Sequence, residues 1–230
     1  MAIIHETTMT PGKMELLADW LPAQPWYLPT GRAPGPARAG GFRLDDPQGE
    51  VGLEFMVLSE ESDDGPVAYH VPLTYRGAPL EGAESALIGT SEHGVLGRRW
   101  VYDGTRDPVL VGQLLSLLQG RAAAQAQGLS DTRDPSVVTE FDGRTLPVPL
   151  LPPLRPQAEH TGRDTEIALG DGPRLAVSRV LRPLDPAGAP HGAVGRVTAG
   201  WSTPDGTGHR GVFAALYAGR AGSEGSAPAR

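Results

Sequence analysis

Two neighbouring segments with alternating apolar residues constrain the fold of this chain most strongly. The alternating positions are Val51, Leu53, Phe55 and Val57 in EVGLEFMVLSE, and Val67, Tyr69, Val71 and Leu73 in PVAYHVPLTYR. Successive side chains of a β-strand point to opposite faces, so a period of two predicts strands. The acidic, Gly-Pro-containing ESDDGP between the two segments is typical of a turn. We therefore predict an antiparallel hairpin with one buried face.

Two other segments predict helices. TPGKMELLADWL places Met14, Leu17, Ala18 and Leu21 on one face, which indicates a short amphipathic helix. Asp107 followed by Pro108 is a strong helix start, because the carboxylate can cap the first turn and proline presets the backbone angle. We predict a long helix from this point through Leu118, running along RAAAQAQ to Gly128.

The remaining segments predict further strands. The Pro- and Gly-rich stretch from Pro22 to Gly41 predicts an irregular connection anchored by Trp26 and Tyr27. Strands are predicted in GFRLDD, LIGTSEH and VLGRRWVYD, and later in SVVTEF, TEIALG, RLAVSRVL, AVGRVTAGWS and HRGVFAALYAG, the last two being joined by the turn-forming TPDGTG.

These elements define an α+β fold: a twisted antiparallel sheet packed by one long and one short helix, continuing into a second antiparallel β-rich half. We expect one unit over residues 1–135 and the β-rich half over 136–218, followed by a disordered tail over 219–230. Whether the two units share one core is left open by the sequence. With 230 residues the chain can bury a core without disulfides or a metal.

Composition removes several classes of function. Cysteine is absent, which excludes disulfides, thiolate metal sites and cysteine nucleophiles. The net charge of −7 lacks a basic stripe, so nucleic acid is not an expected partner. No run is long and apolar enough for a membrane span, and the N-terminus lacks a signal-peptide pattern. We expect a cytoplasmic protein that contacts no membrane.

Recognisable catalytic motifs are absent as well. The sequence has no phosphate-binding loop, no G-x-S-x-G elbow and no metal-type spacing among its six histidines, so no cofactor and no metal are expected. Lys13 is the only lysine. The carboxylate pairs Asp164 with Glu166, and Glu140 with Asp142, could hold magnesium or act as acid and base, but solvated strand edges are the favoured interpretation.

One cluster of charged residues remains as a candidate site. Its members lie in the predicted strands LIGTSEH and VLGRRWVYD and in the short segment that leads to the helix start. They are Glu92, His93, Arg98, Arg99, Asp103, Arg106 and Asp107. The favoured interpretation is a structural network that ties strand ends to the helix. The alternative is a pocket for an anion or a sugar phosphate beside the positive N-terminus of the helix.

Two blocks of sequence resemble a known family. They are WLPAQPWY and VPLTYRGAPLEGAESALIGTSEHGVLGRRWVYDGTRDPVLVGQLLSLL, and the resemblance covers about residues 14 to 120. They are similar to the N-terminal cap domain of actinobacterial maltokinases and related aminosugar kinases. In the first block Trp20, Leu21, Gln24, Trp26 and Tyr27 match the family pattern, whereas Pro25 stands where that pattern has a basic residue.

The resemblance implies a cap that sits on a kinase-like body in a family that phosphorylates maltose with ATP. EHTGRDTEIALGDGPRLAVSRVL resembles a decayed start of the kinase N-lobe, with Ala176 near the position of the ATP-positioning lysine. Phosphoryl transfer needs a phosphate clamp, metal-binding acids and a catalytic aspartate, which the sequence after this segment does not supply. We therefore expect a free-standing cap-like protein without kinase activity.

Two hypotheses of function follow. In the first, the protein is a non-catalytic interaction or regulatory module of trehalose, maltose and α-glucan metabolism, and binds a protein of that metabolism through an exposed apolar or edge-strand surface. In the second, it is a sensor that binds a sugar phosphate or a nucleotide in a pocket near Arg98 and Arg99. An enzyme acting through paired carboxylates has the least support.

Overall fold

A computed structural model describes residues 9–31, 34–128, 132–142, 156–170, 172–185 and 190–219. Its helices are α1 (Lys13–Trp20) and α2 (Pro108–Leu118). Its strands are β1 (Met9–Thr10), β2 (Ala37–Leu44), β3 (Gly52–Glu60), β4 (Val67–Arg76), β5 (Leu87–His93), β6 (Gly97–Asp103), β7 (Gln125–Ala126), β8 (Val138–Phe141), β9 (Gln157–Thr161), β10 (Asp164–Ala168), β11 (Arg174–Ser178), β12 (Val180–Leu181), β13 (Ala193–Ser202) and β14 (Gly208–Tyr217). The α+β class and the antiparallel pairing are confirmed.

The described strands form one antiparallel sheet. Its order is β1-β5-β6-β4-β3-β2-β13-β14-β11-β10-β9, and the short strands β12, β7 and β8 pair with β4, β2 and β13 respectively. The predicted hairpins β3–β4 and β13–β14 are both present. Strand β2 reaches β13 through the single pair Trp201 and Gly40, so this contact joins the first and second halves of the sheet.

The prediction of one buried face for the β3–β4 hairpin is wrong. Val57 pairs with His70 and Phe55 pairs with Pro72, so the alternating apolar residues of β3 and β4 point to opposite faces. Phe55 packs with α2 and the second half of the sheet, whereas Tyr69 and Val71 pack with α1 and Trp26. Both faces of the hairpin are therefore covered, one by α2 and the second half of the sheet and the other by α1 and the segment around Trp26.

The second helix is shorter than predicted. It ends at Leu118 instead of continuing to Gly128, and Gly120 adopts a left-handed φ of 71°. The N–H of Gly120 donates to the carbonyl of Leu117 (3.0 Å), and the N–H of Arg121 donates to that of Ser116 (2.8 Å). This pair of hydrogen bonds is the usual glycine stop of a helix, so Gly120 was the signal in the sequence.

The Pro- and Gly-rich connection also ends earlier than predicted, because β2 begins at Ala37. Gly41, at φ 123°, lies so close to β3 that a Cβ there would overlap the carbonyl of Phe55. The predicted anchors hold the preceding segment: the rings of Trp26 and Tyr27 lie 6.0 and 5.5 Å from the ring of Tyr69. The Tyr69 hydroxyl also donates to the carbonyl of Leu28 at 3.0 Å.

The largest apolar cluster contains residues from both halves. It joins Phe42 and Phe55 of the first half to Leu175 and Phe213 of the second, with the leucines of α2 among them. The division of the chain at residue 135 remains a prediction, and all but the first residue of the predicted tail 219–230 lies outside the described residues. Across the described ranges, no helix has the length and apolar character needed to cross a membrane.

Candidate functional site

Four of the seven candidate residues, Glu92, His93, Arg98 and Arg99, lie next to the turn of the hairpin β5–β6. Register places Glu92 opposite Arg98 and His93 opposite Gly97. The Nε of Arg98 lies 2.7 Å from Oε1 of Glu92, and both side chains are exposed. An exposed ion pair of this kind adds at most about 1 kcal/mol to stability, because water screens it. The main effect of the ion pair is to hold the two charged side chains in defined positions.

The turn of this hairpin is held by side chains. Nδ1 of His93 accepts hydrogen bonds from the backbone N–H groups of Val95 (3.3 Å) and Leu96 (3.0 Å). From the next strand, Nη2 of Arg99 donates to the carbonyl of Leu96 at 2.8 Å. Hydrogen bonds to a ring on one strand and from a guanidinium on the other therefore restrain the backbone of the turn.

Two apolar side chains project from this fixed turn. Val95 is 61% exposed and Leu96 is 46% exposed. Single exposed apolar residues are common, but turns favour small and polar residues, so two adjacent ones in a side-chain-braced turn are unusual. We call Glu92, Val95, Leu96, Arg98 and Arg99 the tip surface. Its formal charge is +1, in a chain whose net charge is −7.

Asp103 lies away from the tip surface, in the core. Its Oδ2 is 2.5 Å from Nη2 of Arg179, and its Oδ1 accepts from the backbone N–H and the hydroxyl of Thr105. Arg179 also donates through Nε to the hydroxyl of Thr165 at 2.7 Å. Asp103, Thr105, Thr165 and Arg179 are all buried. Because the guanidinium bridges β10 and the end of β6, this network joins the two halves of the sheet.

Asp107 occupies a third location, at the start of α2. Its two carboxylate oxygens accept from Nε and Nη2 of Arg76 at 2.6 and 2.7 Å. One of them also accepts from the backbone N–H of Val109 at 2.9 Å, which caps the helix. The neighbouring Arg106 donates to the carbonyl of Ala158. The N-terminus of α2 is thus already bound to a carboxylate of the chain itself.

The seven candidate residues therefore lie in three places. Glu92, His93, Arg98 and Arg99 lie near the hairpin turn, and Asp103 is in the core. Arg106 and Asp107 lie at the start of α2. The sequence did not indicate two residues that bind members of this cluster, Arg76 and Arg179. Arg179 follows Leu175 and Val177 at a spacing of two, and this alternation was a signal that its side chain lies on the buried face.

One member of each carboxylate pair binds an arginine. Glu140 accepts from Nη2 of Arg196 with both oxygens at 2.8 Å, and Glu166 lies 3.4 Å from Arg174. Among the residues whose coordinates are described, no three His, Asp or Glu side chains stand close enough together to hold a metal ion. The only lysine, Lys13, binds Glu54 at 2.9 Å and so attaches α1 to β3.

The fold and the surface define a β-rich module with a braced, partly apolar hairpin, and part of this module is similar to a known domain family. Residues 20–107 match the family model of the maltokinase N-terminal cap domain. The match confirms the resemblance to cap-like domains and includes the tip surface, Asp103 and Asp107. It covers less of the chain than the 14 to 120 expected on the sequence. No curated protein matches the chain.

Proposed function

We propose that this protein is a non-catalytic cap-like module that docks through its tip surface onto an enzyme of trehalose, maltose or α-glucan metabolism. The metabolic setting rests on the match of residues 20–107 to the maltokinase cap domain. The docking role rests on one observation above all, the exposure of Val95 and Leu96 on a turn whose backbone is fixed by His93 and Arg99.

A fixed turn favours docking because little conformational entropy is lost on binding. Ordering a mobile loop costs about 1 to 2 kcal/mol for each residue fixed, and His93 and Arg99 remove much of that cost in advance. Two adjacent aliphatic side chains can then enter an apolar cavity on the partner as one anchor. The exposed part of such side chains contributes roughly 25 cal/mol for each Å² removed from water.

The charges of the tip surface also indicate which charge to expect on the partner. Glu92 and Arg98 neutralise each other, which leaves the guanidinium of Arg99 in excess at the base of the turn. We therefore expect an apolar cavity on the partner with an acidic rim, since complementary charge raises the association rate and fixes orientation. Binding should weaken only modestly with salt, because a single excess charge is involved.

A sugar-phosphate or nucleotide sensor at Arg98 and Arg99 has less support. Arg98 is committed to Glu92 and Arg99 to the carbonyl of Leu96, so the two guanidinium groups are directed to different acceptors. A phosphate would need both to turn toward one point and to leave these partners. It would also meet the carboxylate of Glu92, which lies 2.7 Å from Arg98.

The test compares matched variants for binding. The double variant V95D/L96D places charges at the tip surface, whereas V138D changes another exposed aliphatic residue, 45% exposed on β8. Each protein is titrated against purified maltokinase and other enzymes of trehalose, maltose and α-glucan metabolism. We expect the wild type to bind one of them, V95D/L96D to lose at least about tenfold in affinity and V138D to keep it. Equal losses in both variants would overturn the proposal.

A further inference from the structure

A chain of hydrogen bonds connects the core to His160 at the surface. The buried Arg179 donates through Nε to the hydroxyl oxygen of Thr165 at 2.7 Å. That hydroxyl belongs to a buried residue and lies 2.9 Å from Nδ1 of His160, an exposed residue of β9. Arg179 in turn donates to Asp103 at the end of β6. We call His160, Thr165, Arg179 and Asp103 the relay, which runs from the second half of the sheet into the first.

The hydrogen-bond roles in the relay assign the protonation state of His160. A guanidinium has no acceptor, so the Thr165 oxygen accepts from Arg179 and the single hydroxyl hydrogen is left to donate. Within the described part of the chain, Nδ1 of His160 is the acceptor in reach of that hydrogen. His160 is therefore neutral in the relay and carries its proton on Nε2, because burying a hydroxyl donor without an acceptor costs stability.

The charges around His160 also favour the neutral ring. Arg179 faces it from the junction of β11 and β12, Arg106 from the turn before α2, and Asp103 from the end of β6. On β10 the residue opposite His160 is the uncharged Thr165. Burial and the two arginines lower the pKa of His160, and Asp103 opposes them. Hydrogen bonding and charge therefore stabilise the same form of the ring.

We infer that the relay is a pH-sensitive latch that holds the β9–β10 hairpin against the first half of the sheet. When His160 takes up a proton, Nδ1 becomes a donor and no longer accepts from Thr165. The hydroxyl loses its acceptor and a second cation lies near Arg179, so the contact between the hairpin and the guanidinium weakens. A second attachment of β9, from Arg106 to the carbonyl of Ala158 at 2.9 Å, also lies near the new charge. The hairpin is therefore held firmly at neutral pH and more loosely in mild acid.

The direction of this pH dependence follows from the lowered pKa of His160. A histidine whose folded-state pKa is lowered contributes fully above the unfolded-state pKa of about 6.5 and loses its contribution as the pH falls through the folded-state pKa. Loosening should therefore begin below about pH 6.5. The latch is independent of docking, since the tip surface shares no residue with the relay.

NMR spectroscopy of the isotope-labelled chain tests the latch in two steps. The nitrogen shifts of the imidazole report the tautomer, and we expect Nε2 to carry the proton of His160 at about pH 7.5. Amide exchange at about pH 7.5 and about pH 5.5, corrected for intrinsic rates, then measures the hairpin. We expect protection of residues 157–168 to fall at least about threefold more than that of β13. The comparison with β13 removes the part of the change that comes from global acid destabilisation.

Two histidine-to-asparagine variants separate the latch from other titrations. H160N keeps an acceptor near the position of Nδ1 but does not titrate, so the extra loss of protection in its hairpin should disappear. H191N replaces an exposed histidine in the turn before β13 and should respond as the wild type does.

Three results would overturn this inference. They are a proton on Nδ1 of neutral His160, equal loss of protection in the hairpin and in β13, and an unchanged pH response in H160N. The first two need only the wild type, so the test stays decisive if H160N fails to fold. V95D/L96D should show the wild-type pH response, which keeps failure of the latch distinguishable from failure of docking.

Discussion

Arg179 and Asp103 form a buried ion pair, with Nη2 and Oδ2 2.5 Å apart, that links the end of β6 to the β10–β12 region. Thr105 and Thr165 satisfy further hydrogen bonds of the pair. A buried pair of this kind adds little to stability compared with apolar residues of the same shape, but losing one member leaves an uncompensated charge. Its main consequence here is that the two halves of the sheet are coupled.

The first prediction concerns this coupling. R179M should lower the free energy of unfolding by about 3 to 5 kcal/mol, because it leaves Asp103 buried without its cation. Replacing both members, as in R179M/D103L, should recover part of that loss. Urea denaturation followed by tryptophan fluorescence measures both. A loss below about 1 kcal/mol for R179M would contradict the coupling.

The second prediction separates two tryptophans. Trp26 is buried against Tyr69, and Arg179 lies 5.2 Å above its ring, whereas Trp100 is half-buried. We expect W26A to cost about 3 to 5 kcal/mol of unfolding free energy and W100A clearly less, since less area leaves water there. Thermal unfolding of the two variants side by side gives the order, and a larger loss for W100A would refute it.

The third prediction follows from His70, which is fully buried between Phe55 and Phe213. Burial removes water from around His70 and so lowers its pKa to about 3. A histidine with a lowered folded-state pKa keeps its full contribution above the unfolded-state pKa of about 6.5 and loses it as the pH falls toward about 3. Stability should therefore drop by roughly 1.4 kcal/mol per pH unit below about pH 6 from this group.

The H70Q variant is the control for that pH dependence. Glutamine can still donate to the carbonyl of Ser178, which Nδ1 of His70 contacts at 2.9 Å, but it does not titrate. The slope of unfolding free energy against pH between about 4 and 6 should fall in H70Q. Burial also lowers the pKa of His160, so a smaller slope of the same sign should remain. An unchanged slope would assign the acid sensitivity to other groups.

The fourth prediction compares two carboxylates from the candidate cluster. D107A removes a helix cap and leaves Arg76 without its carboxylate, so a loss of about 3 kcal/mol or more is expected. E92A removes only the exposed partner of Arg98 and should change stability by less than about 1 kcal/mol. Chemical denaturation of both variants checks this order. Similar losses would mean that the hairpin charges support the fold as strongly as the helix cap does.

Much of the fold could be predicted from alternation and capping signals. The strands around Phe55 and Val71, and the start of α2 at Asp107, follow from residues close together in the chain. The opposite orientation of the two apolar faces could not be predicted, because a period of two fixes which residues share a face but leaves the partner register open. The early strand at Ala37 was missed because its glycines indicated a loop.

The candidate site was predicted less completely, for a related reason. Charge clustering in the sequence brought Glu92, Asp103 and Asp107 into one set, yet they lie at the hairpin, in the core and at the helix start. Sequence distance does not reveal which face a strand residue occupies after a turn. The long-range partner Arg179 is 76 positions from Asp103, so no local pattern could indicate the pair.

The most direct test of the docking proposal is hydrogen–deuterium exchange of the chain with and without an enzyme that it binds from the set named above. We predict slower exchange at the backbone amides of residues 92–98 in the complex, and little change on β9, β10 and β11. We also expect V95D/L96D to lose this protection and V138D to keep it, which would assign the protection to the tip surface. Protection confined to the second half of the sheet, or binding by none of the enzymes, would contradict the account.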